Sequence, residues 1–315
     1  MIDNVVIVGG GSAGWMSATT LLNQFPDKKI TLVESPNISN IGVGESTVAG
    51  SQSGFSGFGD WLNLVDINDF NFMSQTDAIF KLSIAFENWY REDSGTFHFP
   101  FGQPGLLPNV NLNDWYFKKI FNPETPVSDF TEWFFPAMAL VNQNKSLFTE
   151  NFTHVNRSPI GRAELERDEL NNEVQLFSGC SLQFDATKFG IWLRDNYCKA
   201  KYPNNFTHIL AEVKEIPLNE NCIEHLILDN GQKLEADLFI DCTGFKSLLL
   251  TKAFEVPFIS IENYIPNNYA WATKIPYEDP ETQIVNYTNC TAIENGWIWE
   301  IPLWSRMGFG YVWSD

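Results

Sequence analysis

A chain of 315 residues with 44% apolar residues, among them 26 Phe, 11 Trp and 9 Tyr, has enough large hydrophobes for a sizeable core and too many for a disordered chain. Its 20 Lys plus Arg against 39 Asp plus Glu give a net charge of −19, a field that repels phosphate backbones and anionic bilayers and argues against nucleic acid or membrane as partner. No apolar run approaches the roughly 18 residues of a membrane helix, and the 5 cysteines and 4 histidines have neither disulfide-framework nor zinc spacing, so the expectation is a cytoplasmic protein without a metal site.

Asn4-Val5-Val6-Ile7-Val8 reads as a strand, followed at once by Gly9-Gly10-Gly11-Ser12-Ala13-Gly14 and a helix from Trp15 to Phe25. Gly9, Gly11 and Gly14 have G-x-G-x-x-G spacing, which serves a tight turn, a close approach of backbone to a pyrophosphate, and helix-strand packing. A second strand, Lys29-Ile30-Thr31-Leu32-Val33, ends in Glu34, 20 residues after Gly14, where a carboxylate can accept from a ribose 2′-hydroxyl. In Ile41-Gly42-Val43-Gly44-Glu45-Ser46-Thr47, two glycines and short polar residues let backbone amides lie against a flat ring system or its diphosphate. The stretch Gln52 to Asp60, rich in Gly and Ser, predicts a mobile loop.

Phe80 to Phe86 alternates, which points Phe80, Leu82, Ile84 and Phe86 one way and Lys81, Ser83 and Ala85 the other. Lys81 then stands beside small residues, which suits a solvated lysine and equally one projecting into a narrow cavity. Further on, Asp185 caps a predicted helix from Ala186 to Lys201 with Phe189, Leu193 and Tyr197 at helical spacing. Asn230-Gly231 joins two strand-like runs as a hairpin, and the second run, Lys233 to Ile240, continues into Asp241-Cys242-Thr243-Gly244. Gly296 to Pro302 places Trp297, Trp299 and Ile301 on one face, as a core or as an indole wall, and the run to Trp313 reads as the second strand of a hairpin turned at 305–308.

In this order, G-x-G-x-x-G-Trp, Gly-Val-Gly-Glu-Ser-Thr, Lys81, Asp241-Cys242-Thr243-Gly244-Phe245 and Trp-x-Trp-x-Ile-Pro resemble the flavin-dependent halogenases of the tryptophan halogenase family over residues 4–313. The late strand and its small-residue turn favour FAD over NAD. The resemblance implies an α/β fold: a Rossmann-like FAD-binding module of the flavoprotein monooxygenase type, about 1–50, 80–90 and 175–255. Interwoven with it is expected a β-rich substrate-side module, about 95–170 and 256–315.

The implied reaction uses FADH2 delivered by a separate flavin reductase. With O2 it oxidises halide to hypohalous acid, which travels through a tunnel to an electron-rich aromatic, indole-like or phenol-like. Lys81 matches the family's catalytic lysine, presenting the electrophile to one ring carbon. Gly9, Gly10, Gly11, Ser12, Ala13, Gly14, Glu34, Gly42, Val43, Gly44, Glu45, Ser46, Val213 and Gly244 are the implied flavin contacts. Phe99, Phe101, Trp297 and Trp299 are the implied substrate and tunnel walls, and a homodimer is compatible with the family. The alternatives are a flavin-dependent aromatic hydroxylase and a catalytically silent FAD-binding chain.

Three departures stand out. Phe99 occupies the place of a stacking histidine, Ala49 replaces a proline after Gly-Glu-Ser-Thr-Val, and the family's halide turn, partner glutamate and helical cap have no counterpart before Asp315. The expectation is therefore that residues 1–315 alone bind FAD weakly, expose apolar surface around Trp297 to Trp313, and halogenate with little selectivity.

Overall fold

The computed structural model describes residues 2–38, 45–47, 57–92, 95–101, 111–126, 128–144 and 181–314, and the backbones of two short paired strands, Glu164–Arg167 and Glu173–Phe177. The chain divides into two units, Met1–Gly44 with Asp185–Asn263, and Glu45–Phe184 with Tyr264–Asp315.

In the first unit, β1 (Asn4–Val8), α1 (Ser12–Gln24) and β2 (Lys29–Glu34) follow one another as strand, glycine turn and helix, then strand. The sheet runs Leu238–Asp241, β1, β2, Phe206–Leu210, all parallel. Val5 to Val8 are buried without alternation, as a strand inside a parallel sheet requires. Gly9 has φ +116°, and a Cβ on it would lie 2.2 Å from the Cys242 carbonyl oxygen. A Cβ on Gly14 would lie 1.8 Å from the Gly9 oxygen, so α1 approaches β1 at a distance only glycine permits.

The helix after Asp185 forms, its carboxylate accepting from the N–H groups of Thr187 and Lys188 at 3.0 Å. It is α-helical over Ala186–Trp192 and widens to π-helical winding over Leu193–Lys199, with Phe189, Leu193 and Tyr197 buried. The expected hairpin is shorter than its sequence run: Leu226–Leu228 pairs with Lys233–Leu234 on one side and with Val213–Glu215 on the other, and Leu238–Asp241 leaves to join the parallel sheet beside β1. The backbone N–H groups of Asp3 and Asn4, held by the Asp237 carboxylate at 2.8 and 2.9 Å, fix the point where the chain changes sheets.

In the second unit, β3 (Ile79–Lys81) pairs antiparallel with Ser181–Gln183. The main sheet has six strands in the order Tyr269–Ile275, Met307–Trp313, Gly296–Pro302, Tyr287–Ile293, β4 (Ser83–Glu87) and β5 (Thr96–Pro100). The single strand expected over Phe80 to Phe86 is broken at Leu82, whose N–H donates to the Asn286 oxygen while its own oxygen accepts from Phe101, both at 2.8 Å. Residues 80–90, expected with the flavin module, lie in this second unit because β4 pairs along its length with Tyr287–Ile293 and β5. The boundaries near 50 and 175 fall instead at 44/45 and 184/185, and the later boundary near 255 falls at 263/264.

Of the loop expected over Gln52 to Asp60, Phe58 to Asp60 instead begin a helix, Phe58–Leu64, after Gly57, where the Asp60 carboxylate accepts from the Gly57 N–H; residues 52–56 lie outside the described residues. Met307–Trp313 is the hairpin partner of Gly296–Pro302, its turn closed by the Leu303 N–H donating to the Arg306 oxygen. No helix among the described residues is long and apolar enough to cross a membrane.

Trp299 is accommodated by its cross-strand partner Gly310, where a Cβ would lie 1.9 Å from the indole Cζ2. Gly310→Ala is expected to destabilise the protein by about 1–3 kcal/mol by urea denaturation. Adding Trp299→Ala should recover part of that loss, giving a favourable coupling in the double-mutant cycle.

Candidate functional sites: a glycine turn and a buried lysine

In the first unit, Gly11 caps α1 with extended backbone and no capping side chain, which leaves first-turn N–H groups around Ser12 and Ala13 for an anion. Glu34 folds across this turn: a Cβ on Gly10 would lie 2.3 Å from its Cδ. Its Oε2 is 2.8 Å from Nε2 of His208, which the ring of Trp15 meets edge-on at 5.1 Å. His208 has no local sequence signal for this role, since the parallel pairing of Phe206–Leu210 with β2 delivers it.

Past the sheet, Gly244 has φ +61° and opens a short turn braced by Asp241. The Asp241 carboxylate accepts from the Thr243 N–H and hydroxyl and from the N–H groups of Leu249 and Leu250, at 2.6 to 3.1 Å. Burial alone would raise its pKa, but these donors outweigh it and hold the carboxyl below its usual range. Val213 packs, partly buried, on the apolar cluster of Val6, Val8, Val33, Ala211, Leu226, Leu228 and Leu249. The turn, the uncapped helix and a carboxylate beside it fit a dinucleotide's diphosphate and ribose. Gly42, Val43 and Gly44 lie outside the described residues.

In the second unit, Lys81 is 2% exposed. Its Nζ donates to Ser46 Oγ at 2.8 Å and to the Thr47 carbonyl at 3.1 Å, with the Phe101 ring centroid 5.0 Å away. Burial lowers its pKa from 10.5 to about 8, the nearby Cys290 thiol acting in the opposite direction. The ammonium does not stand beside Ser83 and Ala85, because the break at Leu82 resets the alternation. Ser83 turns to His98 Nδ1, 3.0 Å away, while Ser46 contacts Thr288, which shares a face with its register partner Ile84.

That face also carries the rings. Trp299 lies opposite Cys290 in register, and Trp297, two residues before it, has its ring 5.8 Å from that of Trp299 and 6.0 Å from that of Trp89. Phe99 lies opposite Ile84 on the same face and is 52% exposed, whereas Phe101, in edge contact with it, is buried against Lys81. The structure thus brings the aromatic residues to one side of the six-stranded sheet and links the lysine to that side through Ser46 and Thr288. A hollow of about 300 Å³ lined by Glu87, Tyr287, Asn289 and Glu300 lies on the opposite side. Glu45, expected against the flavin, is buried in an ion pair with Arg306 at 2.5 Å, its Oε2 in the space a Cβ on Gly308 would need. Thr288 and Gln183, the buried neighbours of Ser46, carried no motif and emerge only from strand pairing.

The first unit is thus a glycine-turn dinucleotide fold, and the second buries a lysine among aromatic rings. The family model for tryptophan halogenases matches residues 4–315, and the chain belongs to that family. It is similar to tryptophan 6-halogenase SttH of Streptomyces toxytricini, 33% identical over 99% of this chain and 57% of that protein. To 7-chloro-L-tryptophan 6-halogenase KtzR of Kutzneria sp. (strain 744) it is 34% identical, over 98% of this chain and 58% of the relative. Among solved structures, the apo structure of VirX1 superposes with a TM-score of 0.80 at 35% identity, covering 100% of this chain and 56% of VirX1. The chain spans a little over half the length of these relatives.

The lowered pKa of Lys81 has a measurable consequence for stability. Between about 8 and 10.5 the folded lysine is neutral while the unfolded one still holds its proton, so stability rises with pH in that window. Lys81→Met is expected to be the more stable protein below pH 8, and its advantage should shrink by about 3 kcal/mol as pH climbs toward 10.5, read by urea denaturation across the series.

Proposed function

We propose that this chain serves FADH2- and O2-dependent halogenation of an electron-rich aromatic, indole-like or phenol-like, with a separate flavin reductase supplying FADH2 and Lys81 directing the halogen. The observation that carries this reading is a lysine amine withdrawn from water, held by two acceptors, and linked through Ser46 and Thr288 to the sheet face that bears Trp297, Trp299 and Phe99. Membership of the tryptophan halogenase family supports it.

When bound, FADH2 supplies hypohalous acid from O2 and halide. The first-turn amides of α1 hold the diphosphate and Glu34, steadied by His208, accepts from the ribose. Lys81 then restrains the hypohalous acid in one of two ways. It holds the acid by hydrogen bonding, or its neutral amine takes the halogen, forming an N–halogen bond with loss of water. Either route needs an amine that is neutral part of the time, and burial provides one. Trp297 and Trp299 supply a wall of two indoles on that sheet face. Phe99 supplies a stacking surface where a tryptophan halogenase is expected to carry histidine, so the substrate is read as an aromatic held by ring stacking.

Incubation with FAD, a flavin reductase, NADH, O2 and each halide against a panel of indoles and phenols, with mass spectrometry of the products, tests the proposal. Halide in the product supports it; oxygen alone would make the protein a hydroxylase, and neither would leave FAD binding without chemistry. Lys81→Ala should keep FAD binding and lose site-selective halogenation by roughly 10²–10⁴-fold, the range for a positioned proton-transfer group. Glu34→Ala should weaken FAD binding by about 1–3 kcal/mol in a fluorescence titration.

A further inference from the structure

We infer that Ser46, Thr288 and Gln183 form a one-directional hydrogen-bond chain that positions the Lys81 amine with its lone pair unclaimed by the described residues; its use in halogenation rests on the reading above. The direction follows from counting protons. Thr288 Oγ1 and Gln183 Oε1 are 2.6 Å apart, an O–H···O separation too short for a typical amide N–H donor, so the Thr288 proton is spent on Gln183. A hydroxyl has one proton, and the 3.0 Å contact between Ser46 Oγ and Thr288 Oγ1 must therefore be donated by Ser46. With that proton committed, Ser46 can only accept from Lys81, and the Thr47 carbonyl can only accept as well.

A neutral amine has two N–H groups and one lone pair. Both N–H groups are taken by acceptors, and the lone pair is left in the remaining tetrahedral direction. Were the chain reversed, the Ser46 hydroxyl would donate to the nitrogen and quench it. The chain ends at a side-chain amide, which does not take up a proton in this pH range, so it orients and does not conduct. Its parts are held by backbone: Ser46 bridges to Gln183, which pairs with Ile79 on β3, while Thr288 pairs with Ile84 on β4. Gln183 and Thr288 are both buried, which keeps water from substituting for either. The lone pair so exposed is the group that accepts from hypohalous acid or attacks its halogen.

The test is nucleophilicity of Lys81 toward cyanate, which adds to neutral amines, scored by peptide mass mapping against the half-exposed Lys118 and Lys233 in the same sample. Thr288→Val removes the acceptor of the Ser46 proton, freeing that hydroxyl to turn on the amine, and should slow Lys81 carbamoylation roughly tenfold relative to the two reference lysines. Thr288→Ser should restore it. Gln183→Met frees the Thr288 proton to donate back to Ser46 and should slow Lys81 by a similar factor, which decides the matter if the valine variant does not fold. Unchanged Lys81 reactivity in the valine and methionine variants, or a serine variant as slow as valine, overturns the inference. The assay needs no flavin, halide or aromatic, so a protein that halogenates with Lys81 indifferent to Thr288 refutes the chain alone. One that shows the cyanate pattern but never halogenates upholds the positioning and refutes the halogenase reading.

Discussion

Taking a lysine nitrogen out of water is the cost around which the second unit is arranged. An ammonium at 2% exposure is strongly disfavoured unless the protein offers acceptors, and among the described residues Lys81 has two, with aromatic carbon beyond them. That is too little to hold the charge as water would, and the pKa falls. It is enough to fix the nitrogen in place. The burial of Ser181 and Gln183 and the break at Leu82 all serve to bring those two acceptors to the nitrogen.

The first unit solves a different problem with a similar economy of side chains. Its site for an anion is built by omission: no side chain on Gly9 or Gly14 where backbone must touch backbone, and none on Gly10 where Glu34 must fold over. What side-chain chemistry remains is concentrated in Glu34 and its partner His208, and in Asp241, which stiffens the second turn. Both carboxylates sit at the carboxyl ends of adjacent or next-adjacent parallel strands, the end at which open α/β sheets bind ligands.

Legibility in the sequence tracked how local each feature is. The glycine spacing, the first three elements, the Asp185 cap and the tryptophan strand were readable because each is decided within a dozen residues, by backbone sterics or a single side-chain bond. The break at Leu82 was not, since its cause is a pair of hydrogen bonds to Asn286 and Phe101, far along the chain, that override a perfect alternation. His208, Thr288 and Gln183 were invisible for the same reason, each reaching its site through strand pairing across long separations. The partner of the Glu45 carboxylate was equally out of view: nothing in its motif announces Arg306, more than 250 residues on.

That ion pair ties two parts of the second unit together mechanically. Glu45 immediately precedes Ser46 and Thr47, the acceptors of Lys81, while Arg306 sits in the turn joining the strand of Trp297 and Trp299 to its hairpin partner. Separating a buried charge pair is expensive, about 3–5 kcal/mol when one partner is removed. The lysine's cradle and the indole wall are accordingly tethered, and a shift in the hairpin is felt at the lysine's acceptors. Efforts to reshape the aromatic wall for other substrates therefore have freedom along the strand but little at its tip, where a change of side chain would loosen the reacting nitrogen along with the wall.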